Sequence, residues 1–171
     1  MRDIILSATA VLLIMAAPGS ATAQDRPPAY LSQHETHAED IEAIQGVLNK
    51  YTTSVSNGDQ ATFESLLLND QVPFSSTSEL IGPRATPGPI DTRRYAGFRQ
   101  AIFGSGVHYA QQFYNVRIEQ DGDLAQASLD FVTKDATTGK GGYGWKVIQL
   151  LKVQGQWKIA SEFYTGHPLP G

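Results

Sequence analysis

Residues 37–72 read HAEDIEAIQGVLNKYTTSVSNGDQATFESLLLNDQV. Ile41, Ile44, Leu48, Tyr51 and Val55 recur at three- and four-residue steps, which predicts an amphipathic helix over about residues 37–56. Asn57-Gly58 stops it, because glycine accepts the left-handed backbone that follows a helix end. Asp59 is a good N-cap for a second helix whose inner face is Phe63, Leu66 and Leu67. Asn69-Asp70 ends that helix, and Val72-Pro73-Phe74 begins an extended segment. Tyr51 therefore sits on the apolar stripe, a phenol that needs a partner or a ligand when buried.

Upstream, an apolar run from Ile4 to Ala17 ends in Ala21-Thr22-Ala23, a small-x-small cleavage pattern. Residues 1–23 are expected to be a signal peptide cut after Ala23, and the protein to be periplasmic or secreted with no stable membrane anchor. The run is shorter than the about 20 apolar residues of a membrane span. Residues 24–37 (QDRPPAYLSQHETH) read as a flexible lead-in, with Thr36 and Glu39 forming a T-x-x-E capping box. That box, rather than a metal site, accounts for the polar cluster His34, His37, Glu39 and Asp40, and neither metal nor cofactor is expected. The chain has no cysteine, so its stability must come from an ordinary core. The net charge of −4 is spread out, without the basic stripe of a nucleic-acid binder.

Downstream, residues 75–92 (SSTSELIGPRATPGPIDT) read as a loop that is either a lid or a plain connection, with a short strand at Glu79–Ile81. A third helix carries Tyr95, Phe98 and Ile102 and stops at Gly104-Ser105-Gly106. From Val107 the period becomes two. Tyr114, Val116 and Ile118 alternate with Asn115 and Arg117, Asp121-Gly122 turns the chain, and Ala125, Ala127, Leu129 and Phe131 alternate with polar residues. Strands follow at Tyr143–Val153 and Trp157–Thr165, joined by Gln154-Gly155. Helices followed by an antiparallel meander define an α+β class, with helices packed on a strongly curved sheet that encloses a pocket. On the last strand Ser161, Phe163 and Thr165 are expected to share a face. Trp157 is expected in the core, and Trp145 on the pocket wall or a dimer face.

Several stretches in this order resemble the nuclear transport factor 2-like superfamily, the cystatin-like cone that also houses SnoaL-like and ketosteroid isomerase-like proteins. They are Tyr51 with Asn57-Gly58-Asp59, Leu66 to Val72, and His108 with Asn115 before Asp121-Gly122-Asp123. Gly155 to Ile159 completes the set. The resemblance covers about residues 38–166, and the domain is expected over 38–168. An isomerase of that kind needs a carboxylate base and two acidic donors for an enolate oxygen. Tyr51 stands where the family's oxyanion tyrosine stands. The base position, however, reads Phe74-Ser75-Ser76, and the second donor falls near Val147, so two of the three parts are missing.

Three functional readings follow. One is an exported small-molecule-binding domain whose apolar pocket, lined by Tyr51, Phe63, Phe98, His108 and Phe163, takes a small hydrophobic molecule. Another is a cofactor-free SnoaL-like lyase or isomerase, with His108 or Asp130 as base and Tyr51 as hydrogen-bond donor; Arg94 beside Asp130 is a variant of that set. The third is a structural or interaction module, a homodimer through its sheet, marked by exposed Trp145, Val147 and Leu151. Asp130 shares its strand face with Ser128 and Gln126, which favours solvent over the pocket.

Overall fold

A computed structural model describes residues 28–83, 85 and 88–170. The expected signal peptide and its cleavage point lie outside them. Ala29–Ser32 form one 3-10 turn, and a separate compact unit starts at Gln33.

That unit opens with α1 (Ala38–Asn57) and α2 (Gln60–Leu66). Gly58 ends α1 at φ 67°, and the Asp59 carboxylate accepts from Thr62 N at 3.0 Å to start α2. Changing direction within two residues requires that left-handed glycine. α1 buries Ile44, Val47, Leu48, Tyr51 and Val55 against the sheet. Then come β1 (Phe74–Ser76), α3 (Thr77–Ile81) and α4 (Tyr95–Ile102). Instead of the strand expected at Glu79–Ile81 there is the helix α3, held by a Ser76/Glu79 capping box. The serine side chain accepts from Glu79 N and so favours the helical turn over extension.

The sheet continues with β2 (Tyr109–Asp121), β3 (Leu124–Asp135), β4 (Gly141–Val153), β5 (Gln156–Tyr164) and the two-residue β6 (His167–Pro168). Its order is β1-β5-β4-β3-β2, with β6 beside β4. The meander is antiparallel as expected, whereas β1 joins β5 in parallel, Phe74 opposite Glu162. Gln154 and Gly155, both at positive φ (52° and 76°), make the tight turn between β4 and β5.

Two bulges decide which residues face inward. In β2, Tyr114 pairs with Asp130 but Arg117 pairs with Ser128, and Asn115 takes φ 52°. The extra residue reverses the alternation. Tyr114 is left on the outer face, 46% exposed, apart from the inward Val116 and Ile118 with which it was expected to align. In β5, Ser161 pairs with Gln149 but Ile159 pairs with Leu150. Trp157 and Ile159 point inward, and beyond the bulge so do Glu162 and Tyr164. Phe163 lies opposite Val147 on the outer face. It therefore does not line the cone interior, where the resemblance had placed it.

The lead-in is tied down from Glu35 onward. Glu35 N donates to Asp121 Oδ1 (2.9 Å), Gly122 N to Glu35 O (2.9 Å), and His37 N to Gln120 Oε1 (3.0 Å). Thr36 Oγ1 donates to Gln120 O (3.0 Å), and α1 starts at His37 without a side-chain cap. The expected Thr36/Glu39 capping box does not form, because the threonine hydroxyl is engaged by the hairpin. Below this strap Asp40 is a buried hub. Its carboxylate accepts from Trp157 Nε1 (3.0 Å) and Gln120 Nε2 (3.0 Å) and pairs with Lys152 Nζ (2.7 Å). The bond from Lys152, then that from Trp157, holds the Asp40 carboxyl below the ordinary 3.8.

A depressed carboxyl stabilises the fold above its ordinary value, and that contribution is lost as the pH falls through the folded value. Asp40→Asn is expected to melt below the wild type at neutral pH. The gap should close as the solution is taken below about pH 3.8. Thermal unfolding followed from pH 7 to pH 2.5 checks this, and a gap that does not change with pH would contradict it.

Candidate functional site

β4 turns Gly144, Lys146, Ile148 and Leu150 inward in strict alternation. Lys146 thus enters the core by the same rule that buries Ile148, and the β5 bulge brings Glu162 to meet it. Tyr51 reaches both from α1. Lys146 Nζ stands 2.6 Å from Glu162 Oε1 and donates to Tyr51 Oη at 2.7 Å. Tyr51 Oη donates to Glu162 Oε1 at 3.0 Å. The three groups close a triangle, with Tyr51 and Glu162 0% and Lys146 2% exposed.

Aromatic rings surround the ammonium. Lys146 Nζ lies 4.5 Å from the ring centroid of Tyr51, 5.0 Å from Phe131, 5.1 Å from Tyr164 and 5.5 Å from Phe113. Ring faces carry partial negative charge, so this shell supports a cation that has lost its water. Glycine at 144 admits the close packing: a Cβ there would lie 2.0 Å from Thr165 O and 3.1 Å from the Phe131 ring.

Burial pushes the Glu162 carboxyl up and the Lys146 ammonium down, and each is held back by the charge of the other. Burial, then the negative charge of Glu162, pushes the Tyr51 phenol far above its usual range. Tyr51 therefore keeps its proton and acts as a donor. Among the described residues, no protein donor reaches Glu162 Oε2 or Gln111 Oε1, both buried.

Around the triangle, Phe63 gathers the rings of Tyr51 (4.7 Å), Phe98 (5.3 Å) and Phe103 (5.4 Å). Phe98, Ile102, Phe103, Tyr109, Phe113 and Tyr164 are only partly buried where they pack on the core. Of these, Phe113 and Tyr164 also flank the Lys146 ammonium.

Of the residues singled out in the sequence, Tyr51, Phe63 and Phe98 belong to this interior. His108, Asp130 and Phe163 do not. His108 is exposed ahead of β2, and its carbonyl accepts from Ala136 N (2.7 Å). Asp130 is cross-strand from Trp145 on the outer face and accepts from Asn115 Nδ2 at 2.7 Å. Arg94 donates from Nε to Asp91 O (3.1 Å), so the Arg94–Asp130 set is not assembled either. Tyr51 and Asp130 lie on opposite faces of the sheet, so they do not form a joint acid–base set.

Lys146 and Glu162 are the residues that sequence reading missed. Lys146 carried a signal, a charge in phase with Ile148 and Leu150. Glu162 carried none, because its inward turn depends on the bulge. The concavities among the described residues lie elsewhere. One of about 560 Å³ is lined by Thr36, Ile118, Gln120, Asp121, Ala125 and Gln149. The other, about 590 Å³, is lined by Asp130, Val132, Tyr143, Trp145, Thr165 and His167. None of the triangle's residues lines either.

Removing one member of a buried ion pair leaves the other charge unpaired, at a cost of about 3–5 kcal/mol. Lys146→Met and Glu162→Gln should each destabilise the fold on that scale, while the double variant loses much less than the sum. Urea unfolding of the four proteins in a double-mutant cycle measures the coupling, and additive losses would show that the pair does not act as a unit.

No protein-family model and no curated protein matches the chain. Solved structures do. An NTF2-like protein of unknown function from Shewanella baltica OS155 aligns over 80% of this chain and 99% of its own, with 23% identity and a TM-score of 0.55. An NTF2-like protein of unknown function from Pseudomonas putida KT2440 aligns over 77% and 89%, with 13% identity and a TM-score of 0.61. A protein of unknown function with a cystatin-like fold from Nostoc punctiforme PCC 73102 aligns over 78% and 95%, with 13% identity and a TM-score of 0.58. With α1, α2 and α4 packed on a bulged, curved sheet, this chain has the nuclear transport factor 2-like cone fold.

Proposed function

We propose that the protein is an exported small-molecule-binding domain whose ligand lies in the cone, against the partly buried aromatic layer and above the Tyr51–Lys146–Glu162 triangle. The observation that carries this reading is the triangle itself. A buried charged cluster costs stability in a core that apolar side chains could fill. Holding one there, under an apolar layer with partial exposure, suits a pocket with greasy walls and a polar floor. In this reading the pocket has a polar floor beneath apolar walls. His108 and Asp130 have no part in this reading. Export rests on the Ile4–Ala17 run and the Ala21-Thr22-Ala23 pattern.

The test is native mass spectrometry of protein purified from its host, with a thermal-shift screen across a metabolite library. The expected result is a chain beginning at Gln24 that carries a small molecule released on denaturation. At least one compound should also raise the melting temperature. An empty protein that no compound stabilises would overturn the binding reading.

The outer face of the sheet favours a second, compatible property. Trp145 (52% exposed), Tyr114 (46%) and Tyr143 (43%) stand there with Leu151 (36%), an apolar surface of the kind that marks an interface. We propose that two copies pair through it. Sedimentation equilibrium should give a dimer, and Trp145→Glu should raise its Kd about tenfold or more, as loss of a central aromatic does. A wild type that stays monomeric at high concentration would exclude the pairing.

A further inference from the structure

We infer that the outer face of the sheet carries a second binding site, at the end where β6 folds back on β4, and that it takes an organic cation: a protonated amine or quaternary ammonium on an apolar body. The site is separate from the cone and shares no residue with the triangle. Strand alternation builds its floor. Tyr143 and Trp145 stand two residues apart on β4, with Val132 and Asp130 opposite them on β3. The chain after β5 supplies a wall: His167 pairs with Tyr143, and Leu169 N donates to Gly141 O at 3.1 Å. Gly142 permits that approach, since a Cβ there would lie 2.9 Å from His167 O. These elements line the concavity of about 590 Å³, to which Leu169 and Pro170 add apolar surface.

Its chemistry selects charge. Trp145 and Tyr143 are 52% and 43% exposed, and the Tyr143 and His167 rings stand 5.4 Å apart. Exposed aromatic faces attract cations, indole most strongly. Asp130 adds a carboxylate directly across from Trp145. Asn115, at the β2 bulge, holds that carboxylate by donating from Nδ2 to Oδ2 at 2.7 Å. The amide is uncharged, so the negative charge stays, and no ion pair among the described residues includes Asp130. Among the described residues that line the concavity there is no Lys or Arg, so an anion would meet a carboxylate and no fixed countercharge. A neutral hydrocarbon would cover the rings but strip water from the carboxylate without replacing it.

Benzyltrimethylammonium, benzylamine, benzyl alcohol and phenylacetate form a matched probe set, titrated by NMR into the intact protein isotope-labelled at the tryptophan indoles. Trp145 also stands on the face proposed for pairing, so the titration is run at a concentration where sedimentation gives the monomer. The two indoles report separately, because Trp157 is buried on the inner face and donates to Asp40. Both cations are expected to bind about tenfold tighter than benzyl alcohol, with phenylacetate weakest. They should shift the Trp145 signal and leave that of Trp157 in place. Asp130→Asn and Trp145→Leu, both on the outer face, should each lower cation affinity about threefold or more. Asp130→Asn should leave benzyl alcohol binding unchanged. No binding by any probe, equal binding by all four, or strongest binding by phenylacetate overturns the inference. So does cation binding that moves Trp157 instead of Trp145, or that keeps its affinity in Asp130→Asn. None of these outcomes bears on the cone, whose test rests on other residues.

Discussion

An ammonium and a carboxylate 2.6 Å apart, both shut away from water, constrain everything around them. Their attraction is strong in a poorly polarisable interior, and so is the loss of hydration each has suffered. The balance tolerates no loose geometry. Lys146 must project inward from β4, Glu162 must meet it from β5, and Tyr51 must arrive from the opposite layer. The aromatic shell replaces part of the lost hydration of the cation. Through Tyr51 and Tyr164 it continues into Phe63, Phe74 and Phe98, which join α2 and α4 to the sheet. Charge pair and ring cluster are thus one unit.

A second polar hub sits apart from the first and has a different character. Asp40 gathers Lys152, Trp157 and Gln120 where the lead-in crosses the β2–β3 hairpin. Every partner there is accounted for and Lys152 is partly exposed, so the cluster works as a fastener between α1, the hairpin and β5. The triangle is more deeply enclosed, with Tyr51 and Glu162 0% and Lys146 2% exposed, and aromatic rings rather than solvent flank its cation.

Much of the fold was legible because it depends on strong local signals. The stripe through Ile44, Leu48, Tyr51 and Val55 gave α1, Asn57-Gly58-Asp59 gave the joint between helices, and Gly122 and Gly155 gave two hairpins. Ser75 to Ile81 was harder, since a capping box outweighed the extended look of its neighbours. The site was less legible for one physical reason: alternation along a strand shows a face only until a bulge interrupts it. Tyr114 was grouped with Val116 and Ile118 by that rule, and Glu162 was passed over by it. The bulges at Asn115 and Ala160 are set by tertiary pairing; asparagine tolerates the positive φ taken at 115, whereas the alanine at 160 carries no such signal.

The β5 bulge also makes the two faces of its strand interdependent. One residue of slack near Ala160 sets the phase of everything from Ser161 to Tyr164. Without it, Phe163 would swing into the cone while Glu162 and Tyr164 moved to the outside. Lys146 would be left in the interior without its carboxylate, although no side chain had been replaced. For a protein built this way, the loss or gain of a single backbone unit is a larger chemical change than most substitutions. The polarity of the interior is encoded in chain length as much as in side-chain identity.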